Sequence, residues 1–258
     1  MGEKWRLNGF YAKAQLSRWR DQIPLRYSCR AYGDLPSVAQ WTTLSYAAAR
    51  VCLPGVRILL AACDESFFVP AFLQYGRIRG AQRFAAIVAD QAVPEALLHA
   101  GISGEAFVLE ATSCGVSTCW VGGTYKKKES PVLLGESEAL AAVIPLGIAA
   151  NPVELPVKRM RKPIAWIASG IKDWPEEAQE AARAVHAAPS AMNMQPWKLR
   201  MGAQSMALYA DSQAMSTGIA LLHMEAALCD VPRLWMLEPE EKGSPVAKVR
   251  LNRQSIKE

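Results

Sequence analysis

The chain of 258 residues reads as an α+β fold built from two tandem, diverged halves. Three observations predict this. Each half carries helix and strand patterns in the order helix, strand, helix, strand, without the steady βαβ alternation of a doubly wound sheet. Residues 80–90, G-A-Q-R-F-A-A-I-V-A-D, are echoed by residues 202–211, G-A-Q-S-M-A-L-Y-A-D, each a turn followed by a strand ending in Asp. The spacing E-x3-C-x5-W then occurs at Glu110, Cys114 and Trp120 and again at Glu225, Cys229 and Trp235. Either match alone could arise by chance in Ala-rich text. Both, in the same order, point to duplication.

The elements follow from these patterns. In the first half, strands are expected at residues 56–63, 83–88, 119–121 and 141–148. In the second half they are expected at 197–201, 206–209, 234–237 and 247–251. Gly104 and Gly218 each open an Ala/Leu/Met-rich segment, residues 104–117 and 218–229, that is apolar on nearly all sides. A helix apolar all round is a buried one. Two such helices, one per half, are expected to pack at the centre of an intramolecular pseudo-dimer. Asp173 and Pro175 mark the start of a further helix, with Glu176 and Glu177 well placed in its first turn. Its apolar stripe is Ala178, Ala181, Ala182, Val185 and Ala188. The Pro-rich, basic stretch 151–163 marks the boundary, giving expected domains of 1–155 and 156–258.

Composition narrows the function classes. A hydrophobic fraction of 51% and a charged fraction of 21% are ordinary for a globular protein of this length, which can bury a core without metal or disulfides. The six cysteines form no C-x-x-C pair and read as small apolar residues in a reducing compartment. His99, His186 and His223 are too scattered for a metal site, so no metal is expected. The N-terminus lacks the apolar core of a signal peptide, and no run reaches the roughly 20 apolar residues of a membrane span. A cytoplasmic protein without membrane partner is expected. The net charge of +5 suits an anionic cofactor or substrate and does not call for nucleic acid.

The most informative segment is 188–197, A-P-S-A-M-N-M-Q-P-W. Pro189 stiffens the backbone where a helix ends, and Ser190 and Asn193 supply the small polar groups of a tight turn. Near the N-terminus, Arg26, Ser28 and Arg30 form R-x-S-x-R. That pattern alone also describes a polar surface strand. Thr118-Cys119-Trp120-Val121-Gly122-Gly123 is a strand running into a glycine pair. Lys158, Arg159, Arg161 and Lys162 make a basic run ending at Pro163, which by itself also reads as a solvated charge run.

Together these four segments resemble the flavin-dependent nitroreductase family. The resemblance implies that Arg26, Ser28 and Arg30 hold the phosphate and ribityl parts of FMN, as Arg forks suit phosphate. It implies that Gly122 and Gly123 let the backbone approach the flavin ring, since glycine has no side chain. It implies that Arg159 or Arg161 reaches the phosphate, and that Pro189, Ser190 and Asn193 cover the flavin, a part played by the second subunit in the usual homodimer. This chain departs from that pattern. The phosphate motif lies in the first half and the P-S-x-x-N turn in the second, while residues 50–57 have lost the Ser and Asn and no Gly-Gly follows Trp235. The chain therefore resembles the branch in which one polypeptide carries both halves of the dimer and keeps one flavin site.

The expected activity is that of an NAD(P)H-dependent FMN oxidoreductase, passing two electrons to a nitroaromatic, a quinone or a similar small acceptor. No protein residue is expected to act as acid or base, because the flavin carries the chemistry. The alternative is a flavin-binding protein without turnover. A weaker reading is a helical interaction module built on the two apolar helices. The acceptor, expected to lie against residues 67–75, the choice between NADH and NADPH, and the oligomeric state are left open.

Overall fold

Two antiparallel sheets carry seven of the eight strands expected from the sequence, while the one expected at 119–121 lies instead at Ser117–Thr118. The computed structural model describes residues 6–7, 9–69, 77–151, 153–158, 160–210, 214–237 and 243–251. In chain order the elements are β1 (Arg6–Leu7), α1 (Lys13–Gln22), β2 (Tyr32–Asp34), α2 (Val38–Arg50) and β3 (Val56–Ala62). They continue with β4 (Arg83–Asp90), α3 (Ala96–Ser113), β5 (Ser117–Thr118), β6 (Glu138–Ala149) and α4 (Ile164–Ile167). The last are α5 (Glu176–Ala187), β7 (Trp197–Met201), β8 (Ser205–Ala210), α6 (Ala214–Ala227), β9 (Arg233–Leu237) and β10 (Ala247–Leu251).

The chain divides into two compact units, residues 22–158 and residues 1–21 with 159–258. The sequence placed the cut after residue 155 and gave the N-terminal segment to the first half. The N-terminal segment instead belongs with the second, because β1 pairs with β9, Leu7 opposite Trp235. A two-residue strand is too short to announce its partner through periodicity.

In the unit of residues 22–158, β3 and β4 form a hairpin with Leu59 opposite Ala86. β4 pairs with β6, Ala85 opposite Ile144, and β5 pairs with the far edge of β6 at Leu146 and Gly147. β2 extends that same edge at Ile148 and Ala149. Residues Phe84–Ala89 are buried on both sides of the pleat, so β4 reads as a continuous apolar run. α2 is started by a capping box in which Ser37 and Gln40 satisfy each other's backbone N–H groups.

The other unit repeats this topology. β7 pairs with β8, β8 with β10, and β10 with β9, all antiparallel. The order β7-β8-β10-β9 thus matches β3-β4-β6-β5, with α5 preceding β7 as α2 precedes β3 and α6 placed as α3. α3 and α6 are buried nearly all round, as their composition predicts. Both begin earlier than expected, at Ala96 and Ala214, so Gly104 and Gly218 lie inside the helices. At Gly104 the reason is packing, since a Cβ there would stand 2.3 Å from the Trp120 ring. α5 starts at Glu176 with Pro175 at its cap, while Asp173 ends a separate short turn. Among the described residues, no helix is long and apolar enough to cross a membrane.

Candidate functional site

The expected site residues fall into two clusters, one in each unit. In the unit of residues 22–158, the arm carrying R-x-S-x-R leaves α1 through a turn in which Arg26 N–H donates to Gln22 O. It then runs between two backbone segments. Cys29 N–H donates to Thr118 O at 2.8 Å, with Ser28 bridging Thr118 in parallel, and Arg79 N–H donates to Arg30 O at 2.9 Å. Extended backbone alternates its side chains, so Cys29 turns into the core while Ser28 and Arg30 stay half-buried on the other face. The arm therefore lies alongside the T-C-W-V-G-G strand. Arg30, Arg26 and Ser28 all act on the Cys119 thiol and favour its ionised form, although burial outweighs them and its pKa is raised.

Arg26 differs from its two companions. Its side chain is only 3% exposed, and Nε lies 3.6 Å from Oε1 of the fully buried Glu105. The resemblance assigns it to phosphate, whereas its guanidinium sits in the core beside a carboxylate.

The glycine pair is held at both ends. Val121 exchanges two backbone hydrogen bonds with Val143, and Val69 N–H donates to Thr124 O at 3.0 Å. Between these anchors Gly122 and Gly123 form an exposed bend, and a Cβ at either would meet nothing within 4 Å. Neither has the left-handed φ found at Gly55, Gly80 and Gly115. Neither backbone conformation nor packing thus requires glycine at these positions. The backbone there is bare and faces open space.

In the other unit, the P-S-x-x-N turn follows α5 and leads into β7. Met192, Asn193 and Gln195 have φ of 47°, 56° and 45°, a left-handed conformation that Asn tolerates better than Met or Gln. The turn is held in place by its own side chains. Ser190 Oγ accepts from Gln195 N–H at 2.9 Å, and Asn193 Oδ1 accepts from Arg161 Nη1 at 2.9 Å. Asn193 Nδ2 donates to Met160 O, and Arg161 Nη2 donates to Ala187 O at 2.7 Å. Gln195 is buried and braces the turn from within, its Oε1 accepting from Lys162 N–H and its Nε2 donating to Asn193 O. Pro189 is buried and Ser190 half-buried, while Met192 and Met194 are exposed beside them. The structure so joins Arg161 to Asn193, residues that the sequence could pair only through the resemblance. Arg159 lies outside the described residues.

Between α2 and β3, where the first unit would carry its own turn, a five-residue link ends in Pro54-Gly55. Phe67 and Phe68, expected near the acceptor, are core residues packed with Phe84 and Tyr125, and residues 70–75 lie outside the described residues. His99, His186 and His223 each donate a ring N–H to a backbone carbonyl, of Pro54, Lys162 and Ala184. Among the described residues no His/Cys/Asp/Glu group could hold a metal. Two contributors were missed in the sequence, Glu105 and Gln195. Glu105 carried a signal, one of two carboxylates, with Glu110, in a helix buried nearly all round, whereas Gln195 looked like an ordinary turn residue.

Comparison with known proteins agrees with the fold. A family profile described as "Putative TM nitroreductase" matches residues 20–228, which is 209 of the 258 residues. A crystal structure of a "putative nitroreductase" from Thermotoga maritima superposes with a TM-score of 0.63 at 19% identity, covering 91% of this chain and 94% of that one. A nitroreductase with bound FMN from Desulfitobacterium hafniense aligns at 19% identity and a TM-score of 0.43, covering 55% of this chain and 94% of that one. Another with bound FMN, from Bacteroides fragilis, aligns at 15% identity and a TM-score of 0.44 over the same shares. No curated protein matches significantly.

Proposed function

Since the chain belongs to that nitroreductase family, we propose that it is an FMN-dependent oxidoreductase that moves two electrons from NAD(P)H to a nitroaromatic, a quinone or a similar small acceptor. The observation that carries the reading is the arm of residues 26–30 lying against the strand that ends at Gly122 and Gly123. FMN, when bound, accepts a hydride from NAD(P)H and yields two electrons to the acceptor.

The chain's own residues supply placement and charge. Arg30 and Ser28 are assigned to the phosphate and ribityl groups, and the positive charge of Arg30 favours an anionic ligand. Gly122 and Gly123 give the ring close access to backbone N–H groups. Arg161 is assigned to the phosphate, and Pro189, Ser190 and Asn193 to covering the flavin, on the family resemblance. The matching strand orders favour two diverged copies of one nitroreductase-like unit in a single chain.

The absorption spectrum of the purified protein, before and after anaerobic NAD(P)H, tests the reading. Yellow protein bleached by NAD(P)H is expected. Yellow protein that NAD(P)H leaves unbleached is a flavin binder without turnover, and colourless protein that takes up no added FMN sinks the reading altogether. Arg30→Ala is expected to weaken FMN retention by about tenfold or more, the loss of a charge-assisted hydrogen bond. Wild-type FMN content and turnover in that variant would remove Arg30 from the site.

A further inference from the structure

The arm and the glycine strand meet at the bond from Cys29 N–H to Thr118 O. Behind that bond stands a buried carboxylate. Glu105 is fully buried on α3, among residues that are almost all apolar. Its Oε2 accepts from Trp120 Nε1 at 2.7 Å, and its Oε1 lies 3.6 Å from Arg26 Nε. Trp120 stands two residues before Gly122, and Arg26 two residues before Ser28. One side chain therefore touches the roots of both segments. Gly104, next to it on the helix, admits no Cβ because the Trp120 ring occupies that space.

A buried ion pair is an inefficient source of stability. Desolvation of two charges cancels much of their attraction, and apolar residues of similar volume often serve as well. The second unit makes this comparison within the same chain. In the register that pairs Glu110 with Glu225 and Trp120 with Trp235, the counterpart of Glu105 is Ala220. Ala220 is buried, and Trp235 Nε1 is buried with no hydrogen-bond partner among the described residues. That unit packs its tryptophan without a carboxylate. It also has no R-x-S-x-R arm beside β9, where β1 pairs instead.

We propose that Glu105 is a positioning residue. It ties the arm, through Arg26, to the glycine strand, through Trp120, and so sets the spacing of the two segments that receive the ligand. On this account Arg26 acts through the tie and Arg30 meets the phosphate. The proposal rests on the flavin reading for what the two segments hold, and on the geometry alone for the tie.

Two measurements on the full chain test it, hydrogen exchange without FMN and affinity for added FMN. Glu105→Gln keeps an oxygen for the Trp120 N–H and removes the charge facing Arg26. The Cys29 amide is expected to exchange about tenfold faster or more, with β4 amides unchanged, and FMN affinity is expected to fall by a similar factor. A Cys29 amide that exchanges at the wild-type rate overturns the tie. FMN affinity equal to or tighter than wild type overturns it too, because Arg26 would then have been held back from the phosphate. If Glu105→Gln fails to fold, the double variant Arg26→Gln with Glu105→Gln removes the stranded charge and decides the matter. Fast Cys29 exchange in that folded variant supports the tie, and wild-type exchange overturns it. A wild-type chain that binds no FMN sinks the flavin reading, and the exchange result then judges the tie by itself.

Discussion

Gly122 and Asn193, one in each unit, show how differently two proposed ligand-binding residues are constrained. Gly122 has no left-handed φ and no neighbour within reach of a Cβ, so Gly122→Ala is expected to change unfolding free energy by only about 0.5 kcal/mol or less. Its FMN affinity, measured by fluorescence titration, is expected to drop by about tenfold or more if the backbone meets the ring there. Unaltered affinity would mean that the glycine does not face the flavin. Asn193 is the opposite case. Its amide bonds Arg161 and the Met160 carbonyl while its φ is 56°. Asn193→Ala is expected to cost about 2–4 kcal/mol in denaturant unfolding, from lost charge-assisted bonds and a strained backbone. Asn193→Gly keeps the conformation and should cost less, so equal losses would assign the whole effect to hydrogen bonding. The turn chemistry of Pro189, Ser190 and Asn193 was legible in the sequence because it is local. The partner of Asn193 was not, since Arg161 is brought to it by the fold across more than thirty residues of chain.

At the scale of elements, most strands were legible to within about three residues because their apolar runs end at turn residues, but the strand expected at 119–121 ends at Thr118, beyond which Val121 makes only an isolated bridge to Val143. The starts of α3 and α6 were not. Glu95, ahead of α3, has φ of 60° and makes no side-chain cap, so no Ser, Thr, Asp or Asn signal marks the helix. α6 also carries the buried group with the clearest consequence for pH. Glu225 Oε1 accepts from Phe10 N–H at 2.7 Å, Oε2 is buried with no hydrogen-bond partner among the described residues, and burial pushes its pKa up to about 7. Arg233, 3.6 Å away on β9, is the charged group facing it and opposes that rise. A carboxyl raised in the folded state binds more protons there than in the unfolded chain between pH 4.5 and about 7. Its contribution is therefore full below pH 4.5 and is lost as pH rises through about 7, on the order of 3 kcal/mol in all. Asp230, lowered to about 2 by Lys13 and Arg20, acts in the opposite sense and only in acid. Glu225→Gln is expected to flatten the stability profile between pH 5 and 7.5, measured by denaturant unfolding. A slope in that window as steep as wild type would assign it to other groups.

For the whole molecule, two short sequence matches point to duplication, and the repeated strand order is the structural observation that favours it. β3-β4-β6-β5 and β7-β8-β10-β9 share every antiparallel pairing, though the strands are read from quite different side chains. What the sequence could not reveal is what lies beyond β5 and β9. Beside β5 runs the arm, parallel at Ser28 and Thr118, and beside β9 runs β1, antiparallel at Leu7 and Trp235. The backbone edge that receives the R-x-S-x-R arm in one unit is thus taken by a different segment in the other. Trp235 is followed by Met236 and Leu237 within β9, where Trp120 is followed shortly by the open glycine bend. A ligand that needs the arm and the bend together has them once per chain. Titration of flavin-free protein with FMN is accordingly expected to saturate at about one equivalent per chain. Arg30→Ala should abolish or weaken that single phase, leaving no second phase behind. Saturation near two equivalents, or a full equivalent surviving with wild-type affinity in Arg30→Ala, would place a flavin in the unit that carries β1 and overturn the asymmetric reading.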